Sequence, residues 1–354
     1  MKKNILYVGS TGTSGYAIAT KNFIFSHLMS GNNVTYLPVD VDNTQKNDND
    51  PISINVKSCV NKFYDYYDYF ICNFIPTLFE PQYNDVKKYI NNPNCKKILQ
   101  TVWETTKISN DWLPYLNNPL CDEIWLPSKF NKNVFEQSGV TTPIKVKKYV
   151  SYNIINTIDK KDIGLPFHFR YGNADITKTF NFYYIGTWNE RKNNIGTLRT
   201  FCETFSKEDN VSLLIKSNYY MYQDSYTNEI KTELEKVLSE YPNHPTILLF
   251  PDNYPISTLN LIHNLGDCYF LLHRGEGLGL SSYDAYLNHK PVIVTGFGGH
   301  TEYFSDNYPY LVDYKLIDVS KTFPFPFYQH DHQWAEPDYN HAKNLLRLVY
   351  EKYR

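Results

Sequence analysis

His273-Arg274-Gly275-Glu276-Gly277-Leu278-Gly279-Leu280-Ser281-Ser282-Tyr283-Asp284-Ala285, with Lys290-Pro291-Val292-Ile293-Val294 shortly after it, decides the reading of this chain. The run Cys268 to Leu272 ahead of it is apolar and of strand length. Glycines at 275, 277 and 279 then break the pattern into a loop, and Leu280 to Leu287 places apolar residues at helical spacing. Strand, glycine loop and helix follow in that order. A helix opening there aims unpaired N–H groups and the positive end of its dipole at the loop, and glycines let a ligand approach the backbone. Such a place binds an anion, and a diphosphate fits it. Glu276 stands in the same loop, where a phosphate would repel it unless it faces another part of the ligand. A sugar, rich in hydroxyl donors, satisfies that condition. Asp284 falls about two turns further on, at ~3.6 residues per turn, placed to accept from a ribose.

Outward from this stretch, short apolar runs alternate with helical patterns. They are Ile5 to Val8, Val34 to Val39, Tyr69 to Ile75, Lys97 to Trp103, Glu123 to Leu126 and Ile144 to Val150 in the first half. In the second half they are Phe182 to Ile185, Ser212 to Lys216, Thr246 to Phe250, Cys268 to Leu272 and Val292 to Thr295. Alternation of this kind predicts parallel sheets covered by helices, and two such sets predict two doubly wound Rossmann-like α/β domains. The expected division is a first domain over 1–150, a linker over 151–179 around Gly164-Leu165-Pro166, and a second domain over 180–334. Ala335 to Arg354 is expected as a closing helix with Ala342, Leu345, Leu346 and Val349 on its apolar face. A ligand cleft between two such domains is the default site.

Other stretches carry chemistry. Lys216 ends the strand Leu213-Leu214-Ile215-Lys216, and a lysine at the carboxyl end of a parallel strand points into the ligand crevice. Tyr184-Ile185-Gly186-Thr187-Trp188-Asn189-Glu190-Arg191-Lys192-Asn193 runs from a strand into a basic loop. Gly9-Ser10-Thr11-Gly12-Thr13-Ser14-Gly15-Tyr16 follows the first strand and precedes a helix. Trp103-Glu104-Thr105 closes another strand, and Asp122-Glu123-Ile124-Trp125-Leu126-Pro127-Ser128 leads to a helix that Ser128 is expected to cap.

Taken together, these segments resemble the retaining nucleotide-sugar glycosyltransferases of the two-domain GT-B fold, the group 1 class akin to family 4. The shared signature is an acid, seven residues and a second acid, with Asp284 where glutamate is usual. The resemblance implies that Glu276 contacts the donor sugar and Asp284 the nucleotide ribose. It puts Arg191 and Lys192 on the donor diphosphate, with Thr187 standing where many members carry an arginine. Lys216 is implied as a further phosphate contact, ranked above Lys192 and Lys192 above Arg191. Arg274, Gly275, Gly277, Leu278 and Gly279 fall in the donor loop, and Gly12, Ser14 and Gly15 face the donor phosphates and the acceptor. Glu104 is implied as an acceptor contact, beside the alternative that it merely caps the following helix. Trp334-Ala335-Glu336-Pro337-Asp338 extends the resemblance toward the C-terminus, where the last helix is expected to pack back on the first domain. A nucleoside-diphosphate sugar and a hydroxylated acceptor are the implied substrates, with no cofactor and no metal.

Composition sets bounds. A chain of 354 residues buries a sizeable core, and a net charge of −2 gives no general attraction to nucleic acid or an anionic membrane. The start Met1-Lys2-Lys3-Asn4 with Ile5-Leu6-Tyr7-Val8-Gly9 is too short in its apolar part for a secretory signal. No run approaches the ~20 apolar residues of a membrane span, while peripheral attachment stays open. Cysteines at 59, 72, 95, 121, 202 and 268 lack metal or redox spacing and read as reduced core thiols of a cytoplasmic protein. Asp40-Val41-Asp42 and Asp48-Asn49-Asp50 imitate a metal-binding DxD but sit in an acidic loop. His330-Asp331-His332 has no further ligands at a recognisable spacing.

Two other classes compete. One is a sugar-nucleotide or glycan binder with this fold and no turnover. The other is an NAD-dependent epimerase or dehydrogenase, which the Gly9 to Gly15 loop resembles. That class needs a tyrosine four residues before a lysine. Tyr83/Lys87, Tyr286/Lys290 and Tyr339/Lys343 have this spacing, as a chain rich in both residues produces by chance.

Overall fold

The computed structural model describes residues 2–39, 51–153, 155, 158–219 and 224–354. Two compact units emerge: residues 1–152 with 319–333, and residues 153–318 with 334–354.

In the first unit the order is β1 (Asn4–Gly9), α1 (Gly15–Met29), β2 (Asn33–Pro38), α2 (Pro51–Lys57), β3 (Tyr69–Asn73) and α3 (Phe79–Val86). There follow β4 (Lys96–Gln100), α4 (Leu113–Leu116), β5 (Glu123–Leu126), α5 (Lys129–Gln137) and β6 (Ile144–Val146). The strands form one sheet in the order β2-β1-β3-β4-β5-β6, every pair parallel. Helices cover both faces, so a central strand must be apolar throughout. β1 meets this with Ile5, Leu6, Tyr7 and Val8 all at most 1% exposed. Its polar atom is satisfied, since the Tyr7 hydroxyl donates to Gln100 Oε1 at 2.7 Å. Ser128 caps α5 as expected, accepting from the Asn131 N–H at 3.1 Å.

The second unit runs β7 (Phe169–Tyr171), β8 (Phe180–Thr187), α6 (Asn194–Thr204), β9 (Val211–Asn218), α7 (Asp224–Ser239), β10 (Thr246–Phe250), α8 (Ile256–Leu265) and β11 (Cys268–Leu271). It continues with α9 (Leu280–Leu287), β12 (Val292–Thr295), β13 (Leu311–Val312), β14 (Tyr314–Asp318), β15 (Gln333–Pro337) and α10 (Tyr339–Tyr353). Its main sheet has the order β13-β12-β11-β8-β9-β10-β7. The chain steps from β8 to β9 and β10 on one side, then returns to lay β11 and β12 on the other. β8 and β11 are therefore neighbours at the topological switch point, outside whose carboxyl ends open α/β sheets bind ligands.

Three boundaries differ from the sequence expectation. Residues 153–179 do not stand apart as a linker. They belong to the second unit, and Phe169, Arg170 and Tyr171 add an antiparallel edge strand opposite Leu249, Leu248 and Ile247. Residues 319–333 leave the second domain for the first, held by aromatic contacts: Tyr328 stacks on Trp103 at 4.7 Å and Phe327 lies 5.4 Å from Trp112. The closing helix starts at Tyr339, because Ala335 to Pro337 is extended and Asp338 caps the helix through the Asn340 and His341 N–H groups. Ala342, Leu345, Leu346 and Val349 are buried in the core of the second unit, where α10 lies on α6.

Candidate active site

The site is built on the loops that leave β8 and β11. After β8, Trp188 is buried and its N–H donates to Asn218 O at 2.8 Å. Asn189 Oδ1 accepts from the Lys192 N–H at 2.9 Å, closing the turn, and Asn193 takes a left-handed φ of 52° before α6. The two loops are laced together. Asn193 Nδ2 donates to Leu272 O at 2.8 Å, and the Arg274 N–H donates to Arg191 O at 2.7 Å. This brings Arg191 and Lys192 onto Glu276.

Glu276 is only 8% exposed. Lys192 Nζ donates to its Oε1, and Arg191 Nη1 lies 3.7 Å from its Oε2 while donating to Gly275 O at 2.6 Å. Burial pushes the Glu276 carboxyl up, but Lys192 and Arg191 outweigh it and hold the group at about 2, so it is ionised at neutral pH. Its peptide is pinned from the other side, where Glu276 O accepts from the Gly299 N–H at 2.9 Å. Gly298 makes that approach possible. Its φ is +123°, and a Cβ there would stand 2.3 Å from Glu276 O.

Sequence reasoning missed what surrounds this carboxylate. His273 and His300, both buried, meet edge to face at 4.5 Å. Burial drives both imidazoles neutral, His300 to about 4 and His273 well below its usual range. His300 Nε2 meets Thr295 O at 2.8 Å. The cue in the sequence was the Gly298-Gly299-His300 triplet after β12, but nothing local paired His300 with a residue 27 positions earlier.

Gly275 and Gly277 are buried, and Leu278 and Gly279 are half-buried. Gly279, at φ +68°, turns the chain into α9, whose first turn has no side-chain cap. Asp284, on α9, is buried and accepts from Asn153 Nδ2 at 3.1 Å. Arg274 has other company than the donor reading assigned it. Its Nε donates to Glu336 at 2.8 Å and its Nη1 to Glu190 O at 2.8 Å, and the guanidinium lies over Trp334. These contacts tie the loop to β15.

Lys216 stands two residues before the carboxyl end of β9, opposite Ile185 of β8, and is buried. Its Nζ donates to Asn218 Oδ1 at 2.5 Å, and Asn218 Nδ2 donates to Asn253 Oδ1 at 3.0 Å. Burial lowers this ammonium to about 8, with the Asp252 carboxylate opposing the fall. Lys216, Lys192, Arg191, Glu276 and the N-terminus of α9 thus all belong to the carboxyl edge of one sheet.

In the first unit, Gly12 has φ +94°, Ser14 caps α1 by accepting from the Ala17 N–H at 3.2 Å, and Gly15 opens the helix with open space around it. Glu104 does not cap the next helical turn, at Asn110, because Ser109 does so. Glu104 Oε2 instead accepts from the Tyr328 hydroxyl at 2.8 Å.

The other patterns resolve differently. Asp40-Val41-Asp42 and Asp48-Asn49-Asp50 lie outside the described residues. Asp331 pairs with Lys107 at 2.7 Å. Among the described residues, no group of three or more His, Cys, Asp or Glu is arranged to hold a metal ion. All six cysteines are free and buried. Tyr339 donates to Glu336 and Lys343 pairs with Glu203, while Lys290 donates to Gly266 O. Among the described residues, no helix is long and apolar enough to cross a membrane.

No protein-family model matches the chain, and no curated protein sequence does. Solved structures do. Sucrose-phosphate synthase from Thermosynechococcus elongatus superposes with a TM-score of 0.62 at 12% identity, over 98% of this chain and 90% of that one. The Anabaena protein HepE in complex with UDP-glucose gives 0.54 at 12% identity, over 86% and 83%. The E. coli trehalose-6-phosphate structure bound with UDP-2-fluoro glucose gives 0.53 at 10% identity, over 84% and 86%. Similarity at this level of identity establishes the fold. This chain shares with those structures the two Rossmann-like parallel-sheet domains of the GT-B class.

Proposed function

We propose that this protein is a glycosyltransferase of the retaining, group 1 type, moving a sugar from a nucleoside-diphosphate sugar to a hydroxyl on a glycan, lipid or protein-linked sugar. The observation that carries the reading is Glu276, buried and ionised between Lys192 and Arg191 at the switch point of the second sheet. Anion-binding cations and a hydroxyl-accepting carboxylate side by side suit a ligand that is phosphate at one end and sugar at the other. The fold-mates bound to UDP-glucose and to UDP-2-fluoro glucose support the same ligand class.

Cleaving the bond between sugar and diphosphate leaves cationic character at the anomeric carbon and negative charge on the departing phosphate. Lys216, Lys192, Arg191 and the uncapped first turn of α9 supply preorganised positive charge to that leaving group, the kind of contact whose loss costs roughly 3 kcal/mol. Glu276 orients the sugar, and its two cations bridge it to the phosphates. Asp284 receives the ribose. Attack comes from the face the phosphate leaves, which gives retention, and the leaving phosphate takes the acceptor proton. Glu104 is the acceptor-side carboxylate, oriented by Tyr328, with Gly12, Ser14 and Gly15 in the same unit. Six buried thiols fit a reducing, cytoplasmic setting.

Purified protein offered UDP-glucose with hydroxylated acceptors tests this. Glu276→Ala and Lys216→Ala each lower transfer about 10²-fold or more, and wild-type rates in both variants contradict the assignment. Binding of the donor with neither transfer nor hydrolysis identifies a silent binder instead. Stabilisation by NAD alone identifies an oxidoreductase or epimerase.

A further inference from the structure

Asp284 is one methylene shorter than the glutamate usual at its place, and Asn153, itself held by α8, reaches it from another segment. Asn153, in the opening segment of the second unit, donates through Nδ2 to Asp284 Oδ2 at 3.1 Å and to Asn260 Oδ1 at 2.9 Å. Asn260, on α8, returns the bond through its own Nδ2 to Asn153 Oδ1 at 2.9 Å. Asn260 O in turn accepts from Asn264 Nδ2 at 2.9 Å, tying the pair into its helix. Two primary amides that exchange bonds in this way lock each other's planes. With one N–H of Asn153 committed to Asn260, the other is aimed at the carboxylate.

We propose that Asn153, set by Asn260, is a positioning residue that orients the Asp284 carboxylate to receive the ribose of the donor nucleotide. The proposal rests on the donor-site reading given above. A hydrogen bond from a neutral amide to a carboxylate is charge-assisted and directional. A carboxylate offers about four acceptor positions, and the Asn153 bond fixes its orientation. A short aspartate has less reach than glutamate, so its value as a ribose acceptor depends on being held in one geometry before the ligand arrives. The amide pair supplies that hold from two elements other than α9. Asn153 does not touch the reacting atoms. Its effect falls on donor affinity and not on the chemical step.

Calorimetric titration with UDP, GDP and ADP, and with the 2′,3′-dideoxy form of whichever binds, separates the possibilities in wild type, Asn153→Ala and Asp284→Ala. The expected result is that Asn153→Ala weakens the ribonucleotide about tenfold, the scale of one hydrogen bond to a charged group. The same change leaves the dideoxy form within about twofold, raises the donor KM and keeps kcat near wild type. Adding Asn153→Ala to Asp284→Ala then costs little more than Asp284→Ala alone. Should Asn153→Ala fail to fold, Asn260→Ala unpins the same amide and is expected to show the same selectivity. If Asn153→Ala weakens the ribo- and dideoxy forms alike, or neither, the residue is structural and the proposal is overturned while the donor site stands. If wild type binds no nucleoside diphosphate, the donor reading itself falls, and this inference with it.

Discussion

Glu276 concentrates the chemistry of the site in one side chain, and its stability should follow pH accordingly. Its folded value of about 2 lies below the ordinary carboxylate range, so its ion pairs contribute stability above about pH 4.5. That contribution is lost as pH falls from there toward 2. The size is roughly 3 kcal/mol. Denaturant titrations of wild type and Glu276→Gln should therefore differ most at pH 7 and draw together as the pH is lowered toward 2, and a constant difference across that range contradicts the pairing. Lys216 works in the opposite sense. Its folded value of about 8 lies below that of an exposed lysine, so its burial costs roughly 3 kcal/mol at neutral pH, and wild-type stability should rise between about pH 8 and 10.5. Lys216→Met is expected to raise Tm by a few degrees while abolishing transfer, the trade expected of a residue kept for function. A lowered Tm counts against a strained cation. The places of Glu276, Lys216 and Asp284 on loop, strand and helix were legible because each stands at a fixed offset from a strand end or a glycine. Asn153 and His300 were not, because their partners lie in other segments and only the folded chain joins them.

At the scale of elements, the strand–loop–helix unit around Glu276 appears as read, with α9 running from Leu280 to Leu287. The strands begin and end within a few residues of their apolar runs, since parallel strands buried on both faces advertise themselves as unbroken hydrophobic stretches. The exceptions share a cause. Phe169 to Tyr171 is a three-residue edge strand, too short for a period to show. The Ala335 stretch carried apolar residues but was extended up to Pro337, with helix starting only after the Asp338 cap. The glycines at 279 and 298 matter to this unit more than their neighbours do. A Cβ at 298 would strike the backbone oxygen of Glu276 at 2.3 Å, which cannot swing aside as a side-chain tip can. Gly298→Ala should therefore weaken nucleoside-diphosphate binding at least tenfold while the protein stays folded, checked by circular dichroism beside calorimetry. Unchanged binding means that the Glu276 loop tolerates displacement.

For the whole molecule, two doubly wound units were legible from the alternation of strands and helices, and their exact membership was not. Residues 319–333 join the first unit through Trp103, Trp112 and their aromatic partners, contacts that span more than two hundred positions and leave no local trace. The closing helix shows the same limit: its apolar stripe was visible, but the surface it covers was not. A donor bound by the second unit should slow hydrogen exchange in the loops at 188–193 and 273–279. The central claim, that these loops form a nucleoside-diphosphate sugar site around Glu276, is tested most directly by thermal shift of wild type and Glu276→Ala with UDP-, GDP- and ADP-glucose. A donor at 100 times its Kd adds about 2.7 kcal/mol. One of the three should raise the wild-type Tm by several degrees and the variant's by far less. Equal shifts in both proteins, or a shift with NAD and none with any of the three, would contradict it.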